Sequence, residues 1–115
     1  GPQIRINNRI RARAEALAAR IAADYPGVAV TAGGRDPAGH AIAVNTTTLG
    51  LKPGDALPIA VDRLSPGTLL VDIIMDPAET ALMQAARAAG FAVHPGQPML
   101  DEQIRLIGQW MGAPV

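Results

Sequence analysis

The chain of 115 residues contains no cysteine. That excludes a disulfide scaffold, a thiolate metal site and a cysteine nucleophile, and it fits a reducing compartment, which we take to be the cytoplasm. Aromatic side chains are almost as scarce. Tyr25, Phe91 and Trp110 are too few to make base-stacking platforms. Excess charge is missing too: ten basic side chains face ten acidic ones, so no general nucleic-acid surface is expected. No apolar run approaches the roughly 18 residues of a membrane span, and Gly1-Pro2-Gln3-Ile4-Arg5 carries no apolar signal core. We therefore expect neither nucleic acid nor membrane as a partner. What is present is 49% apolar and 17% charged residues, the composition of one globular domain with a core of its own.

Short strand-like runs alternate with helical patterns. Residues 3–7 read as a strand. Ala14, Leu17, Ala18 and Ile21 then fall on one face of a helix over 11–24, which Pro26-Gly27 ends. Brief strands follow at 28–31 and 41–44. Residues 45–68, rich in Thr, Pro and Gly, offer at most one helical turn near 62–64, and loops this long in compact domains are usually functional. The apolar run 69–74, interrupted by Asp72, suits a strand covered on both faces. Leu82, Ala85, Ala86 and Ala89 mark a second helix, with Gly90 as its left-handed cap. A short strand at 91–93 and a last helix at 99–111 complete the chain. This alternation predicts an α/β class fold, a Rossmann-like three-layer domain with a mainly parallel sheet.

The first strand ends in Asn7-Asn8-Arg9, with Arg11 and Arg13 following and no carboxylate before Glu15. In a doubly wound dinucleotide fold an acid at this place bonds the ribose hydroxyls and selects NAD. Arginine instead offers a planar donor fork suited to phosphate oxygens. The pattern favours the extra phosphate of NADP, with a solvated basic helix start as the plainer alternative. Asn45-Thr46-Thr47-Thr48-Leu49-Gly50 puts hydroxyls and a permissive glycine at the end of a strand, which suits a cofactor crevice or simply a self-satisfied turn. Gln103 stands within an apolar stripe of Met99, Leu100, Ile104, Ile107 and Met111. On a buried face its amide would need partners, at a cost of roughly 1–3 kcal/mol without them. It either reaches solvent at the helix edge or bonds a substrate hydroxyl. His40 and His94 have no second histidine at metal-ligand spacing, so no metal site is expected. Asp72 would need hydrogen-bonded partners if buried, Lys52 lies in a Pro/Gly loop, and no catalytic acid or base stands out.

Taken in order, these segments resemble the NADP-binding half of the shikimate dehydrogenases and their quinate/shikimate relatives. Asn8-Arg9-Ile10 and the helix after it resemble that family's Asn-Arg-Thr motif. Asn45-Thr46-Thr47-Thr48-Leu49-Gly50 is similar to its Asn-x-Thr-Ser-x-Gly loop. Asp72-Ile73-Ile74-Met75-Asp76-Pro77 resembles Asp-x-x-Tyr-x-Pro, Glu79-Thr80-Ala81-Leu82 resembles Thr-Pro-Leu-Leu, and Gly96-Gln97-Pro98-Met99-Leu100-Asp101-Glu102-Gln103 resembles Gly-x-x-Met-Leu-x-x-Gln. The resemblance runs from about residue 4 to residue 110.

The resemblance implies that Asn8, Arg9 and Arg13 hold the adenosine 2′-phosphate of NADP and that Thr47 lines the cofactor crevice. It places Ile73, through its backbone, and Gly96 near the nicotinamide, with Met99 packed against the ring, and it gives Gln103 a substrate hydroxyl. The implied reaction is reversible hydride transfer between NADPH and 3-dehydroshikimate, a step of the shikimate pathway towards aromatic amino acids. Ile10 in place of Thr removes a hydroxyl at the phosphate site. Met75 in place of Tyr leaves shikimate, quinate and related hydroxy acids open as substrates.

The family's Gly-rich turn with its strand, and the substrate domain with its catalytic Lys and Asp, have no counterpart in this sequence. We therefore expect residues 1–115 to be a partial NADP-binding domain, inactive alone, with Gly1 the native end of a preceding helix. In strand order 3-2-1-4-5-6 the missing strand is a central one, and its loss leaves two open inner edges. Each buried unpaired backbone group costs roughly 1–3 kcal/mol, so we expect the gap to be closed. The strand at residue 3 could pair with the one at residue 41, or a second copy could pair through the open edge. Other readings are a non-catalytic interaction or dimerisation module, and a different two-domain NADP enzyme such as a glutamyl-tRNA reductase, against which the 96–103 segment weighs.

Overall fold

The apolar spacing at 14, 17, 18 and 21 folds into a helix, α1 (Arg11–Asp24), but only its two alanines in that stripe are buried; Leu17 stays exposed. The structure, a computed structural model, describes residues 2–112, so the expectation placed on Gly1 lies outside the described residues. Before α1 runs β1 (Gln3–Ile6) and after it β2 (Ala29–Ala32), paired parallel with Ile4 opposite Val30 and Ile6 opposite Ala32. The Gly33 amide donates to the Ile6 carbonyl at 2.9 Å and carries the ladder one step further. This βαβ arrangement makes up the first of two compact units, Gly1–Arg35.

The second unit, Asp36–Val115, holds a three-stranded parallel sheet in the order β3-β4-β5: β3 (Ile42–Asn45), β4 (Leu69–Asp72) and β5 (Val93–His94). One 3-10 turn, Val61–Arg63, interrupts the long β3–β4 connection. Helix α2 (Ala81–Ala88) follows β4 and puts Leu82, Met83 and Ala86 in the interior. Alternation along the strands sends Leu70 to the side that packs with Leu82 and Ala86, where Ala43, Ile59, Val61, Phe91 and Val93 complete the core. Thr80 caps α2 by accepting the Met83 amide, and Gly90 follows the helix at φ 90°, the left-handed conformation anticipated for it.

The helix α3 (Gln97–Trp110) begins two residues before its expected start, with Pro98 in the first turn, where a missing amide hydrogen costs nothing. None of its residues is buried, and among the described residues α3 packs against no strand or helix. Its apolar stripe is in solvent: Ile104, Ile107 and Met111 are exposed and Trp110 is 88% exposed.

Of the two ways expected to close the sheet gap, direct pairing within the chain is not the one taken: β1 pairs with β2, β3 with β4, and among the described residues no ladder joins the Gln3 strand to the Ala41 strand. The physical reason lies in burial. The penalty applies to backbone groups removed from water, whereas Gln3, Arg5, Ile42 and Val44 on these strands are all exposed. An edge in water keeps its hydrogen bonds with solvent.

Candidate functional site

In a parallel sheet every strand ends at the same rim, and the loops leaving it converge there. In the second unit that rim gathers Asn45 at the end of β3, Asp72 at the end of β4 and His94 at the end of β5. Asp72 has no exposed surface. Its Oδ1 accepts from the Ile74 amide at 3.1 Å and the Asn45 side-chain amide at 3.3 Å, and its Oδ2 accepts from the Thr80 hydroxyl at 2.8 Å. These are the partners that a buried aspartate requires.

Asn45 spends its remaining capacity on the loop that follows. Its Oδ1 accepts from the Thr47 amide at 3.0 Å and the Thr47 hydroxyl at 2.7 Å, while its amide also donates to the Leu49 carbonyl at 3.1 Å. The Thr47 oxygen in turn accepts from the Leu49 amide at 3.1 Å. The hydroxyl proton of Thr47 is therefore committed within the loop, and one lone pair and the methyl group remain for a ligand. Further along, Asp55 accepts from the amides of Gly50 at 2.9 Å and Lys52 at 3.2 Å. These backbone bonds, that of Gly50 foremost, lower the Asp55 pKa below the usual carboxylate value. Gly50 adopts φ 118°, and a side chain there would press on Ile74. Residues 50–55 with Pro77 and Ala81 enclose a shallow hollow of about 240 Å³, below the size of most ligand pockets.

Ile73 and Gly96 meet at this rim. A Cβ on Gly96 would lie 2.5 Å from the Ile73 carbonyl oxygen and 2.9 Å from that of Ile74. Both neighbours are backbone and cannot swing aside, so only glycine fits. Met99, in the first turn of α3, is 40% exposed. Gln103 is exposed as well, as in the reading that takes it to solvent at the helix edge. Its amide stands in water without penalty, and among the described residues it has no partner. His94 is exposed, its Nδ1 2.9 Å from the Pro95 carbonyl.

In the first unit the corner after β1 is shaped by Asn8, whose Oδ1 accepts the Ile10 amide at 2.9 Å. That leaves both amide hydrogens of Asn8 as donors. Helix α1 starts there with no acid in its first turn and no side-chain cap. Arg11 pairs with Glu15 at 2.9 Å; among the described residues Arg9 and Arg13 form no ion pair. Amide donors, a helix start and two unpaired guanidinium groups fit a phosphate group. Sequence reasoning passed over Thr80 and Asp55. A Thr directly before a helical stripe is a capping signal that could have found the first; nothing local marked the second.

No protein-family model matches the chain. The chain is 40% identical over 111 residues to the shikimate dehydrogenase (NADP(+)) of Methylocella silvestris, an alignment spanning 90% of this chain and 37% of that protein. Among solved structures, it superposes on the shikimate dehydrogenase of Aquifex aeolicus with a TM-score of 0.78 and 30% identity, over 100% of this chain and 41% of that one. It also superposes on the ligand-free 5-ketofructose reductase of a Gluconobacter strain with a TM-score of 0.81 and 29% identity, over 100% of this chain and 44% of that one. The chain thus spans less than half the length of the proteins it matches. It is similar to a portion of the shikimate dehydrogenases, and its fold is the Rossmann-like α/β arrangement of parallel strands and flanking helices.

Proposed function

We propose that this chain is the NADP-binding part of a shikimate dehydrogenase-like oxidoreductase. The observation that carries the reading is the Ile73–Gly96 junction, backbone against backbone at the rim where the loops after all three strands of the second unit converge. Asn8, Arg9 and Arg13 hold the 2′-phosphate through donors that no described residue occupies. Ile73 and Gly96 face the nicotinamide end, Met99 lies against the ring, and the Asn45–Thr47 turn shapes the crevice wall. When bound, NADPH supplies the hydride that reduces 3-dehydroshikimate to shikimate. Gln103, free in solvent on α3, donates to or accepts from a substrate hydroxyl.

The described residues bring no acid–base pair to this rim, since the carboxylate of Asp72 is enclosed by its own hydrogen bonds. The chain alone therefore binds nucleotide weakly and catalyses nothing; the substrate domain and the Gly-rich βα unit of the family are not represented in its 115 residues. We place it in the cytoplasm, with a shikimate-like hydroxy acid as the substrate of the whole enzyme. Titration with adenosine 2′,5′-bisphosphate tests the phosphate corner. Arg9→Ala should weaken binding by roughly tenfold or more, the worth of a charge-assisted hydrogen bond. Equal affinity in the two proteins removes the NADP assignment, and measurable turnover of shikimate with NADP by this chain removes the claim of inactivity.

One feature favours a second reading, pairing with another copy as an interaction module. β3 is an edge strand with Ile42 58% and Val44 48% exposed, and its residues Ile42–Asn45 carry no charge or proline to block pairing. Light scattering across a concentration series separates the two, because a monomer throughout ends this alternative.

A further inference from the structure

We propose that Asp72 is a positioning residue that sets the Ile73 carbonyl, and through it the nicotinamide end of the site; the inference rests on the nucleotide-binding reading above. β4 ends at Asp72, and the carbonyls of the next two residues, Ile73 and Ile74, lie against Gly96. The Asp72 carboxylate directs the exit from the strand. Its Oδ1 takes the Ile74 amide at 3.1 Å, closing a turn over Ile73. The Ile73 amide meanwhile donates to the Asn45 carbonyl at 3.2 Å, the last rung towards β3. The Ile73 carbonyl is left against Gly96, with no room for even a methyl group between them.

The same carboxylate ties this turn to two other elements. Asn45, which shapes the 45–50 loop, donates to Oδ1 at 3.3 Å. Thr80 donates to Oδ2 at 2.8 Å while accepting the Met83 amide at 3.3 Å, so the start of α2 is fixed by the same group. All three partners of Asp72 are donors, the pattern of an acceptor-only carboxylate. An asparagine there presents a donor to one of these donors, and a valine at 80 removes both the hydroxyl link to Oδ2 and the cap on the Met83 amide. No other side chain among the described residues is hydrogen-bonded both to the Ile73–Ile74 turn and to the loops flanking it.

The test compares NADP⁺, which carries the nicotinamide, with adenosine 2′,5′-bisphosphate, which lacks it. Binding to the 115-residue chain is followed by amide NMR. Asp72→Asn and Thr80→Val should each weaken NADP⁺ by roughly fivefold to tenfold, the worth of one buried hydrogen bond, and leave the bisphosphate within about twofold. Thr80→Ser should restore NADP⁺ binding, and the Ala86 methyl signal, a turn further into α2, should stay in place in every variant. The Ile74 and Gly96 amide signals should move in Asp72→Asn even without ligand. Equal losses for both ligands, or no loss for either, overturn the proposal. Unmoved Ile74 and Gly96 signals overturn it independently of any ligand. If the wild-type chain binds neither ligand, the nucleotide reading fails instead, and those two amide signals still decide whether Asp72 sets the turn.

Discussion

The unit Gly1–Arg35 lays one helix along two strands and buries no side chain larger than alanine, whereas Asp36–Val115 encloses Leu70, Leu82, Met83 and Ala86 together with Asn45, Thr68, Asp72 and Thr80. Complete burial of a leucine or methionine side chain contributes about 1.5–3 kcal/mol, and an alanine far less. The second unit therefore carries a core that specifies its geometry, and the first has mainly its backbone ladder and an uncapped helix. Segments below about 40 residues seldom fold unaided. The candidate residues divide in the same way: the Ile73–Gly96 junction belongs to the well-packed unit, and the Asn8–Arg9 corner to the poorly packed one.

The largest expected effect comes from attacking the stronger side. Leu70→Ala should destabilise the second unit by about 2–5 kcal/mol, a cavity with nothing to fill it. Urea denaturation read at Leu82 and Ala86 should show the loss, with the amides of β1 and α1 unaffected in their own transition. A single shared transition would mean that the division into two units does not extend to stability. Gly96→Ala comes next. Its Cβ would lie 2.5 Å from a backbone carbonyl, so we expect a loss of roughly 1–3 kcal/mol from overpacking, together with shifted Ile73 and Ile74 amides in NMR spectra.

A gain should be available on the weaker side. Ile10 occupies the N-cap of α1 without a side-chain bond. Ile10→Thr supplies a capping hydroxyl and should stabilise the first unit by about 0.5–1 kcal/mol, read as slower hydrogen exchange in α1. No change would mean that fraying of this helix start does not limit the unit.

The smallest effect concerns pH. Because the folded Asp55 pKa is lowered by the Gly50 and Lys52 amides, its contribution is present above the unfolded carboxylate value and is lost as pH falls through the folded one. Acidification below the usual carboxylate range should lower the protection of the Gly50 amide relative to its intrinsic exchange rate, while Asp55→Asn should abolish that pH dependence of the protection. Lying half-buried on a surface loop, the group should leave the global transition nearly unmoved.

Much of the fold was legible from residue order. Ala14, Leu17, Ala18 and Ile21 marked α1, Gly90 marked the end of α2, and the alternation of strand and helix announced parallel pairing; each is a local signal repeated at the period of its element. The candidate site was legible only in part. Gly96 could be singled out by its resemblance to a family motif, but its contact with Ile73 joins residues far apart in the chain. Gln103 admitted both a solvent-reaching and a substrate-binding reading because an apolar stripe implies burial only where something covers it, and among the described residues no strand or helix packs on α3.

The order of amino acids by itself determined which segments are helix and strand, where they stop, and which side chains can bind phosphate, because periodicity, caps and donor chemistry are properties of neighbouring residues. Tertiary structure alone decided that the strands form two separate sheets, that Asp72 is enclosed by Asn45, Thr80 and the Ile74 amide, and that α3 is left bare. Those outcomes depend on which surfaces exclude water, and water is excluded only by groups that the folded chain brings together.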